Sequence, residues 1–372
     1  MKIHKISWFD EFNCMGGDCP GTCCRGWLIP LDGEDVCRFK KEKGRLGLEL
    51  FLATGAYTRT RMNLGSGECR FHMGDGLCKL QLRKGHDFIP WACRSYPRFY
   101  RNYGDLEERY LDLSCIAAAE MFVRNTGPLK LVEDVDEPVT GLCTTNDDED
   151  LLDTLVKMRQ DIIDKIEEIF RQDMRSCRAL MDTLYDHSCR LQDTYARGGY
   201  YKDLPPVKDV LGTMEEKSHT FPVPPYILKG FTEAALGHFG QKKTGTGLHG
   251  LLTDALNLTK NYRVERSRFD EAAGEFCDLN ELMLPLLGKY MSYYLYQYFL
   301  GTYETYSFRK AVALGIIHTN MILLLAMAYV PGGRRVTGDD LAYIISVYNR
   351  KVFFNETIED LMYEIFEGYV QT

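Results

Sequence analysis

Nine of the thirteen cysteines of the chain lie within its first 115 residues, far more than an even distribution along 372 residues would place there. Residues 1–14 contain neither a long apolar segment nor a small-residue cleavage site, so no secretory signal is predicted. In a reducing compartment, clustered thiols indicate metal binding rather than a disulfide framework. We therefore expect a cytoplasmic protein with a cysteine-built metal site near its N-terminus.

The densest part of this cluster is Cys14-x4-Cys19-x3-Cys23-Cys24, where intervening glycines and a proline impose the turns that aim several sulfurs at one region. Thiolates without a recurring histidine suit an iron–sulfur cluster or a tetrahedral zinc ion. Adjacent side chains are expected to diverge, which disfavours Cys23 and Cys24 as ligands of one cluster. The candidate metal ligands are Cys14, Cys19, Cys23, Cys24, Cys69, Cys78, Cys93 and Cys115.

The remaining cysteines and two nearby histidines have simpler interpretations. His72 and His86 are alternative ligands, although packing or surface positions are more typical of single histidines. The other five thiols are expected to be small hydrophobic residues, and they are Cys37, Cys143, Cys177, Cys189 and Cys277. The Cys-x3-Cys-x2-Cys pattern of common radical-SAM enzymes is missing, because position 26 is a glycine.

The chain divides into three zones. Residues 1–126 hold the thiols and many turn signals, and predict a loop-rich domain organised by metal. Residues 127–150 contain eight acidic residues and one lysine, which is typical of a solvated linker. Residues 151–372 predict an all-α domain, with apolar periodicity over 151–191, 226–239, 248–261, 268–300, 307–330 and 338–349, and a last helix capped by Asn355. The predicted fold class is mainly α, with a cysteine metal-cluster domain followed by a helical domain.

Composition restricts the partners. A net charge of -8 gives no support for a nucleic-acid binder. However, fifteen Lys or Arg against eight Asp or Glu between residues 38 and 109 would suit an anionic cluster or a carboxylate-bearing cofactor, or simply form a solvated face. Residues 311–330 are long enough to span a bilayer, but polar residues at 318–320 favour a buried helix over a membrane span.

Several segments resemble the flagellin lysine-N-methylase family, whose N-terminal part is itself similar to cysteine-cluster proteins described as zinc- or iron-chelating. They are FNCMGGDCPGTCCRGWLIPLD (Phe12–Asp32), Cys69, GDGLCKL (Gly74–Leu80), ACRSYPR (Ala92–Arg98), LDLSCIAAAE (Leu111–Glu120) and, more weakly, KYMSYYLYQYFL (Lys289–Leu300). The eight candidate ligands match the family cysteines and Cys37 does not. One departure is Arg70 after Cys69, where a proline is expected.

This resemblance implies a protein-lysine N-methyltransferase that uses S-adenosylmethionine, requires a 4Fe–4S cluster and modifies surface lysines of flagellin. The alternatives are a zinc- or iron-binding protein without enzymatic activity and an electron-transfer protein. Gly245-x-Gly247-x-x-Gly250 follows no strand, so a turn between helices is more typical of it than a nucleotide loop. Neither a catalytic residue nor a pocket for S-adenosylmethionine can be located from the sequence.

Seven tyrosines crowd residues 290–306: Tyr290, Tyr293, Tyr294, Tyr296, Tyr298, Tyr303 and Tyr306. Methyl transfer to lysine would benefit from such aromatic walls, which desolvate the amine and hold the cationic product. Packing between helices is the more common use of tyrosines at this spacing.

Overall fold

The structure is a computed structural model. It describes residues 2–25, 29–54, 61–62, 67–134, 139, 142–143, 146, 148–198, 207–212, 214, 220–239, 247–262, 265–330, 334–353 and 355–371.

A five-stranded mixed sheet lies near the N-terminus. Its strands are β1 (Lys2–Ile6), β2 (Arg98–Tyr103), β3 (Leu106–Leu111), β4 (Leu131–Asp134) and β5 (Leu142–Cys143). They lie side by side in the order β4-β1-β3-β2-β5. β2 and β3 form an antiparallel hairpin, whereas β1 pairs parallel to β3 and antiparallel to β4. The first strand of the chain therefore occupies an interior position of the sheet.

Short helices accompany the sheet in the first part of the chain. They are α1 (Gly33–Lys41), α2 (Gly44–Thr54), α3 (Lys79–Lys84), α4 (Trp91–Ser95) and α5 (Ile116–Arg124). Three-residue 3₁₀ turns lie at Gly16–Asp18 and His86–Phe88. Of these elements, α5 packs most directly into the main body of the protein, with its first four residues and Phe122 buried.

From Glu149 onward the described chain is helical. The helices are α6 (Glu149–Ile169), α7 (Met174–Ala196), α8 (Val207–Val210), α9 (Pro225–Phe239), α10 (Gly247–Asn261), α11 (Arg266–Leu279), α12 (Met283–Tyr298), α13 (Thr302–Thr305), α14 (Phe308–Tyr329), α15 (Gly338–Tyr348) and α16 (Glu356–Val370). A 3₁₀ turn at Phe299–Gly301 follows α12, and a π-helical segment at Asn349–Phe353 extends α15.

Helices α6 and α12 attach the helical body to the sheet. The Tyr293 hydroxyl of α12 donates to the Leu111 carbonyl of β3 at 2.6 Å, and the Tyr296 hydroxyl donates to the His4 carbonyl of β1 at 2.8 Å. Arg159 of α6 reaches the buried Glu108 of β3. One continuous hydrophobic core therefore extends from the sheet through α5 to α16.

Residues 29–93 contribute to a second, smaller core. Its buried members include Phe39 and Leu50 of α1 and α2, Phe71, and Leu80 of α3. This segment leaves the sheet after β1 and returns to it at β2. The residues of the small core therefore lie in a segment inserted between two strands of the sheet, and this segment has its own apolar interior.

The mainly α prediction is confirmed, and the sheet is what the sequence interpretation missed. Residues 127–150, expected to be a solvated linker, contain β4, which pairs with β1 at the edge of the sheet. The predicted helix 268–300 is two helices, separated at residues 280–282 by a turn around Asn280. The N-cap at Asn355 is confirmed, because its side chain accepts from the Ile358 amide.

One helix among the described residues, Phe308–Tyr329, is long and apolar enough to cross a membrane by length and composition. Inside the protein, 89% of its apolar window is buried. His318 and Asn320 near its middle are buried and hydrogen-bonded, to the Tyr348 hydroxyl and to the Thr220 carbonyl respectively. The expected buried helix is therefore what the structure contains.

Gly288 marks the closest approach of α12 to the end of α6. A Cβ atom at position 288 would lie 2.5 Å from the Phe170 Cβ atom. We expect Gly288→Ala to lower the free energy of unfolding by about 1–3 kcal/mol through overpacking. Gly274→Ala in α11, where a Cβ meets nothing within 4 Å, is the matched control and should stabilise by about 0.5–1 kcal/mol. Urea unfolding of both variants measures the difference, and equal stabilities would contradict this close contact.

Candidate metal centre

Four of the eight predicted ligands meet in the small core. Cys69 is buried there, and Cys24, Cys78 and Cys93 pack against it half-buried. They come from four separate stretches of sequence. The fold therefore collects four thiols around one apolar interior, and we call these the small-core thiols.

Backbone pairing fixes three of these segments relative to one another. The Cys69 amide donates to the Cys24 carbonyl at 2.9 Å, next to an antiparallel bridge between Arg25 and Glu68. A second bridge joins His72 to Cys78, which directly precedes α3. Cys24, Cys69 and Cys78 are thus held by main-chain hydrogen bonds.

The fourth segment is held through α1. Asp35 completes a capping box with Asp32, and its carboxylate also accepts from the Trp91 amide at 3.1 Å. Arg38 donates to the Phe88 and Ile89 carbonyls. These bonds fix the start of α4, whose third residue is Cys93. The sequence analysis did not identify Asp35 and Arg38, although Asp32-x2-Asp35 at the start of a helix is a recognisable capping signal.

Glycines allow the first cysteine loop to lie against the turn before Cys78. Gly76 has a φ of 82°, and a Cβ there would lie 2.8 Å from the Gly17 carbonyl oxygen. Only glycine tolerates both this backbone conformation and this contact. The loop between Cys14 and Cys19 therefore contacts the turn that precedes Cys78.

Burial dominates the electrostatics of most of the small-core thiols. It raises the pKa of Cys69 to about 11, and the neighbouring Cys24 and Cys78 sulfurs add to the effect. Burial also raises the pKa of Cys78 and of Cys93, and Cys69, Cys24 and Cys78 contribute at Cys93. Mutually repelling thiolates next to one another are the situation that a bound cation relieves.

Cys24 is the exception. A hydrogen bond from the Cys23 thiol, supported by the Thr22 hydroxyl, lowers the pKa of Cys24 to about 6 against the effect of burial. The same bond is the main reason that the pKa of Cys23 is raised. The two adjacent thiols therefore influence each other, and the expectation that they do not share one cluster stays a prediction.

The other four predicted ligands are not members of the small core. Cys115 is buried in the main core directly before α5, and Cys19 packs against the same core. Burial raises the pKa of Cys115 to about 11, with Cys19 among the neighbouring charges. Cys14 is exposed, and Cys23 is half-buried between Cys24 and Cys14. The structure therefore places Cys24, Cys69, Cys78 and Cys93 in the small core, with Cys23 next to Cys24, and a second group, Cys19 and Cys115, at the main core beside α5.

The second group adjoins a cationic side chain that the sequence interpretation missed. The Arg350 guanidinium, from the π-helical segment, donates to the Ser114 carbonyl at 3.0 Å. A Cβ at Gly21 would lie 3.2 Å from the same guanidinium. No local signal in the sequence connects position 350 with residues 21 and 114, which lie more than 230 positions earlier.

The two histidines differ. His72 is half-buried and pairs through a bridge with Cys78; its Nδ1 atom lies 3.0 Å from the Glu68 carboxylate, and its Nε2 atom has no partner among the described residues. His86 is 60% exposed and faces Asp87 at 3.9 Å. His72 therefore remains an alternative ligand, whereas His86 lies at the surface.

The small core offers soft sulfur donors to a metal centre, and the choice between an iron–sulfur cluster and a single ion stays a prediction. Within the described part of the chain, no three His, Cys, Asp or Glu side chains converge tightly enough to hold one metal ion. In a four-iron cubane each thiolate binds a different iron, so the four sulfurs surround a larger volume. Two buried polar atoms without described partners, His72 Nε2 and Arg94 Nε next to Cys93, suit an anionic group at this position.

The remaining cysteines were predicted as small hydrophobic residues. Cys177 and Cys277 are buried in the main core and Cys189 packs against it, as predicted. Cys37 is exposed, so that prediction is wrong for it. The Cys143 side chain lies outside the described residues.

The tyrosine run serves packing in this structure. Tyr290, Tyr293, Tyr294, Tyr296 and Tyr303 are buried in the main core, and their hydroxyls bond mainly to backbone or to Asn349. These contacts join α12 to the sheet and to α15, and they give no support to a lysine cleft at this place.

The glycine motif predicted as a turn lies only partly within the description. Gly247 and Gly250 belong to the first turn of α10, and residues 240–246 lie outside the described part of the chain. No nucleotide-binding loop can be assigned to it.

Similarity to known proteins covers part of the chain. Over 141 residues, 36% of its length, the chain is 24% identical to the flagellar biosynthetic protein FliU of Salmonella muenchen and to the lysine-N-methylases of Salmonella typhimurium and Salmonella choleraesuis. The matched region is 83% of FliU but 35% of each lysine-N-methylase, so the chain spans about a third of the length of those two relatives. No protein-family model and no solved structure matches the chain. The chain is thus a distant relative of lysine-N-methylases and of a flagellar biosynthetic protein over about a third of its own length.

Proposed function

We propose that this chain is an S-adenosylmethionine-dependent protein-lysine N-methyltransferase that requires a 4Fe–4S cluster and modifies flagellin. The observation that carries the proposal is the grouping of four thiols in the small core of a chain whose relatives include lysine-N-methylases. The described cysteines are all free thiols, which suits the reducing cytoplasm where we place the protein.

The small-core thiols Cys24, Cys69, Cys78 and Cys93 are the proposed cluster ligands. Their thiolates would be the soft donors that iron–sulfur clusters prefer, and burial would shield the cluster from water. For Cys14, Cys19, Cys23 and Cys115, metal ligation stays a prediction. When bound, the cluster would hold together the segment between β1 and β2. It would also supply a redox-active or Lewis-acidic centre to the reaction.

The proposed reaction needs a neutral amine. A free lysine has a pKa near about 10.4, so the protein must remove a proton by burial or with a base. The lone pair on the lysine Nζ atom then bonds to the methyl carbon of the sulfonium donor while the carbon–sulfur bond breaks. S-adenosylhomocysteine leaves as a neutral thioether, and the positive charge passes from its sulfur to the nitrogen of the methylated amine.

Methyl transfer to flagellin tests the proposal. Anaerobically purified protein is incubated with flagellin and methyl-labelled S-adenosylmethionine, and the label is located by peptide mass spectrometry. We expect label on surface lysines and none on flagellin whose lysines have been acetylated. If the cluster-loaded protein transfers no label to lysine, the proposed lysine methyltransferase activity is contradicted.

A metal-binding or electron-transfer protein without transferase activity is the second candidate. It is favoured by the short span of similarity, because the relative that the match covers most fully is FliU rather than a methylase. Iron analysis, absorption and EPR spectra separate these cases before any assay. A colourless protein with stoichiometric zinc would exclude both the 4Fe–4S methyltransferase and the electron-transfer reading.

A further inference from the structure

A cleft of about 640 Å³ opens far along the chain from the small-core thiols. It lies between α10, α11 and the C-terminal end of α14. Its α11 wall consists of positions 272, 275, 276 and 279, one face of the helix. This volume is within the range of small-ligand and side-chain binding sites.

The rim of this C-terminal cleft is acidic. Asp254 of α10 and Glu275 of α11 are both exposed, and neither forms an ion pair or hydrogen bond with another described residue. Arg334, the cation among the described lining residues, pairs with Asp340 at 3.3 Å. Among the described residues, these two carboxylates therefore have no counter-charge.

Helix ends add to this negative potential. Asn261 and Tyr329 are the last residues of α10 and α14, and both line the cleft. The carbonyl groups at a helix C-terminus carry a partial negative charge of roughly half an electron, which favours cations. The helix ends are independent of the two side chains and favour the same ligand charge.

The walls are apolar and aromatic. The half-buried Tyr262, Phe276 and Tyr329 line the cleft together with the buried Met327. Aromatic rings attract organic cations, and apolar walls accept a methylene stem. Among the described residues, no three carboxylate, thiol or imidazole side chains converge to hold an inorganic cation, whereas an ammonium on an aliphatic chain matches both walls and rim.

We propose that the C-terminal cleft binds the lysine side chain of the protein substrate, with its stem along the aromatic wall and its ammonium, before it loses its proton, at the rim that carries Asp254 and Glu275. This inference rests on the proposed function, because it names where that reaction's substrate lysine binds. The sulfonium of the methyl donor shares the same cationic chemistry, and the binding test separates the two.

The test measures binding of a fluorescent flagellin peptide with a single lysine, and separately of S-adenosylmethionine, to the full chain. In the variant D254N/E275Q we expect peptide binding to weaken about tenfold, since each exposed charge pair contributes modestly, with donor binding unchanged. The control E271Q/D278N removes two exposed carboxylates of α11 outside the cleft and should bind like the parent. A norleucine peptide should bind parent and variant equally weakly.

Equal peptide affinity in parent and D254N/E275Q would overturn the cleft assignment, and so would loss of donor binding with peptide binding retained. Methyl transfer separates this failure from that of the proposed function. If the parent and D254N/E275Q methylate flagellin with the same KM, the lysine-binding role of the cleft is contradicted and the proposed methyltransferase activity is supported. If the parent binds the peptide through the cleft but transfers no methyl group, the lysine-binding role of the cleft is supported and the proposed methyltransferase activity is contradicted.

Discussion

Replacing Cys69, Cys78 or Cys93 singly by serine is expected to abolish the iron–sulfur signal of the anaerobically prepared protein. Serine is nearly isosteric with cysteine, but its hydroxyl is a hard donor that iron–sulfur clusters bind poorly. The three residues belong to one small core, so each removes one ligand of the same set. Iron per chain, visible absorption and the EPR spectrum of the reduced protein report the loss, from about four irons in the parent.

Two kinds of control sharpen this result. Cys277→Ser and Cys189→Ser alter thiols of the helical body, which lie away from the small core, and should leave the iron content intact. Cys19→Ser is expected to retain the small-core cluster, because Cys19 packs against the main core with Cys115. Full iron content in all three small-core variants would contradict the proposed ligands, and circular dichroism verifies that each variant is folded.

Removing the Arg159 side chain is expected to be the most destabilising single change in the helical body. Arg159 of α6 and Glu108 of β3 are each about 1% exposed, and the guanidinium contacts both carboxylate oxygens, one of them at 2.8 Å. It also donates to the Tyr296 carbonyl at 2.9 Å and lies over the Tyr296 ring. Arg159→Met leaves Glu108 buried without a counter-charge, which costs about 3–5 kcal/mol.

The measurement is urea unfolding of Arg159→Met, Glu108→Gln and the double variant. The double variant should be more stable than Arg159→Met alone, because it no longer buries an unpaired carboxylate. Arg124→Ala is the exposed control: its side chain is 72% exposed beside Glu120, and its loss should cost less than about 1 kcal/mol. Similar costs for Arg159→Met and Arg124→Ala would show that the buried pair does not tie α6 to the sheet.

The helices were predictable because their signals are local. The predicted segment 226–239 corresponds to Pro225–Phe239, and the predicted segment 248–261 to Gly247–Asn261. Apolar residues at three- and four-residue steps encode the buried face directly, and Asn355 marks a helix start through its own side chain. These features require no knowledge of distant residues.

The sheet was hidden because its central strand reads as polar. β3 contains Glu107, Glu108 and Arg109 in succession, yet all are buried. Glu107 and Arg109 pair with each other, and the partner of Glu108 is Arg159 on α6. Charged residues are buried only when partners compensate them, and a partner 51 positions away leaves no local pattern.

The division of the thiols was hidden for a related reason. Sequence spacing brings Cys19, Cys23 and Cys24 together, yet Cys24 joins the small core while Cys19 joins Cys115. Spacing along the chain indicates which thiols can be neighbours. Which thiols are neighbours in the folded protein depends on whether they pack in the small core or in the main core. The eight candidates could therefore be named from the sequence, and their grouping could not.

The interior position of β1 has a consequence for synthesis of the protein on the ribosome. β1 is made first, but its two neighbours, β3 and β4, begin at residues 106 and 131. β1 therefore stays unpaired while the cysteine-rich segment between β1 and β2 leaves the ribosome, and this segment can already collapse around its own apolar residues. We therefore expect the small core to form before the sheet is complete, so that metal insertion during translation would act on a segment whose flanking strands are still unpaired.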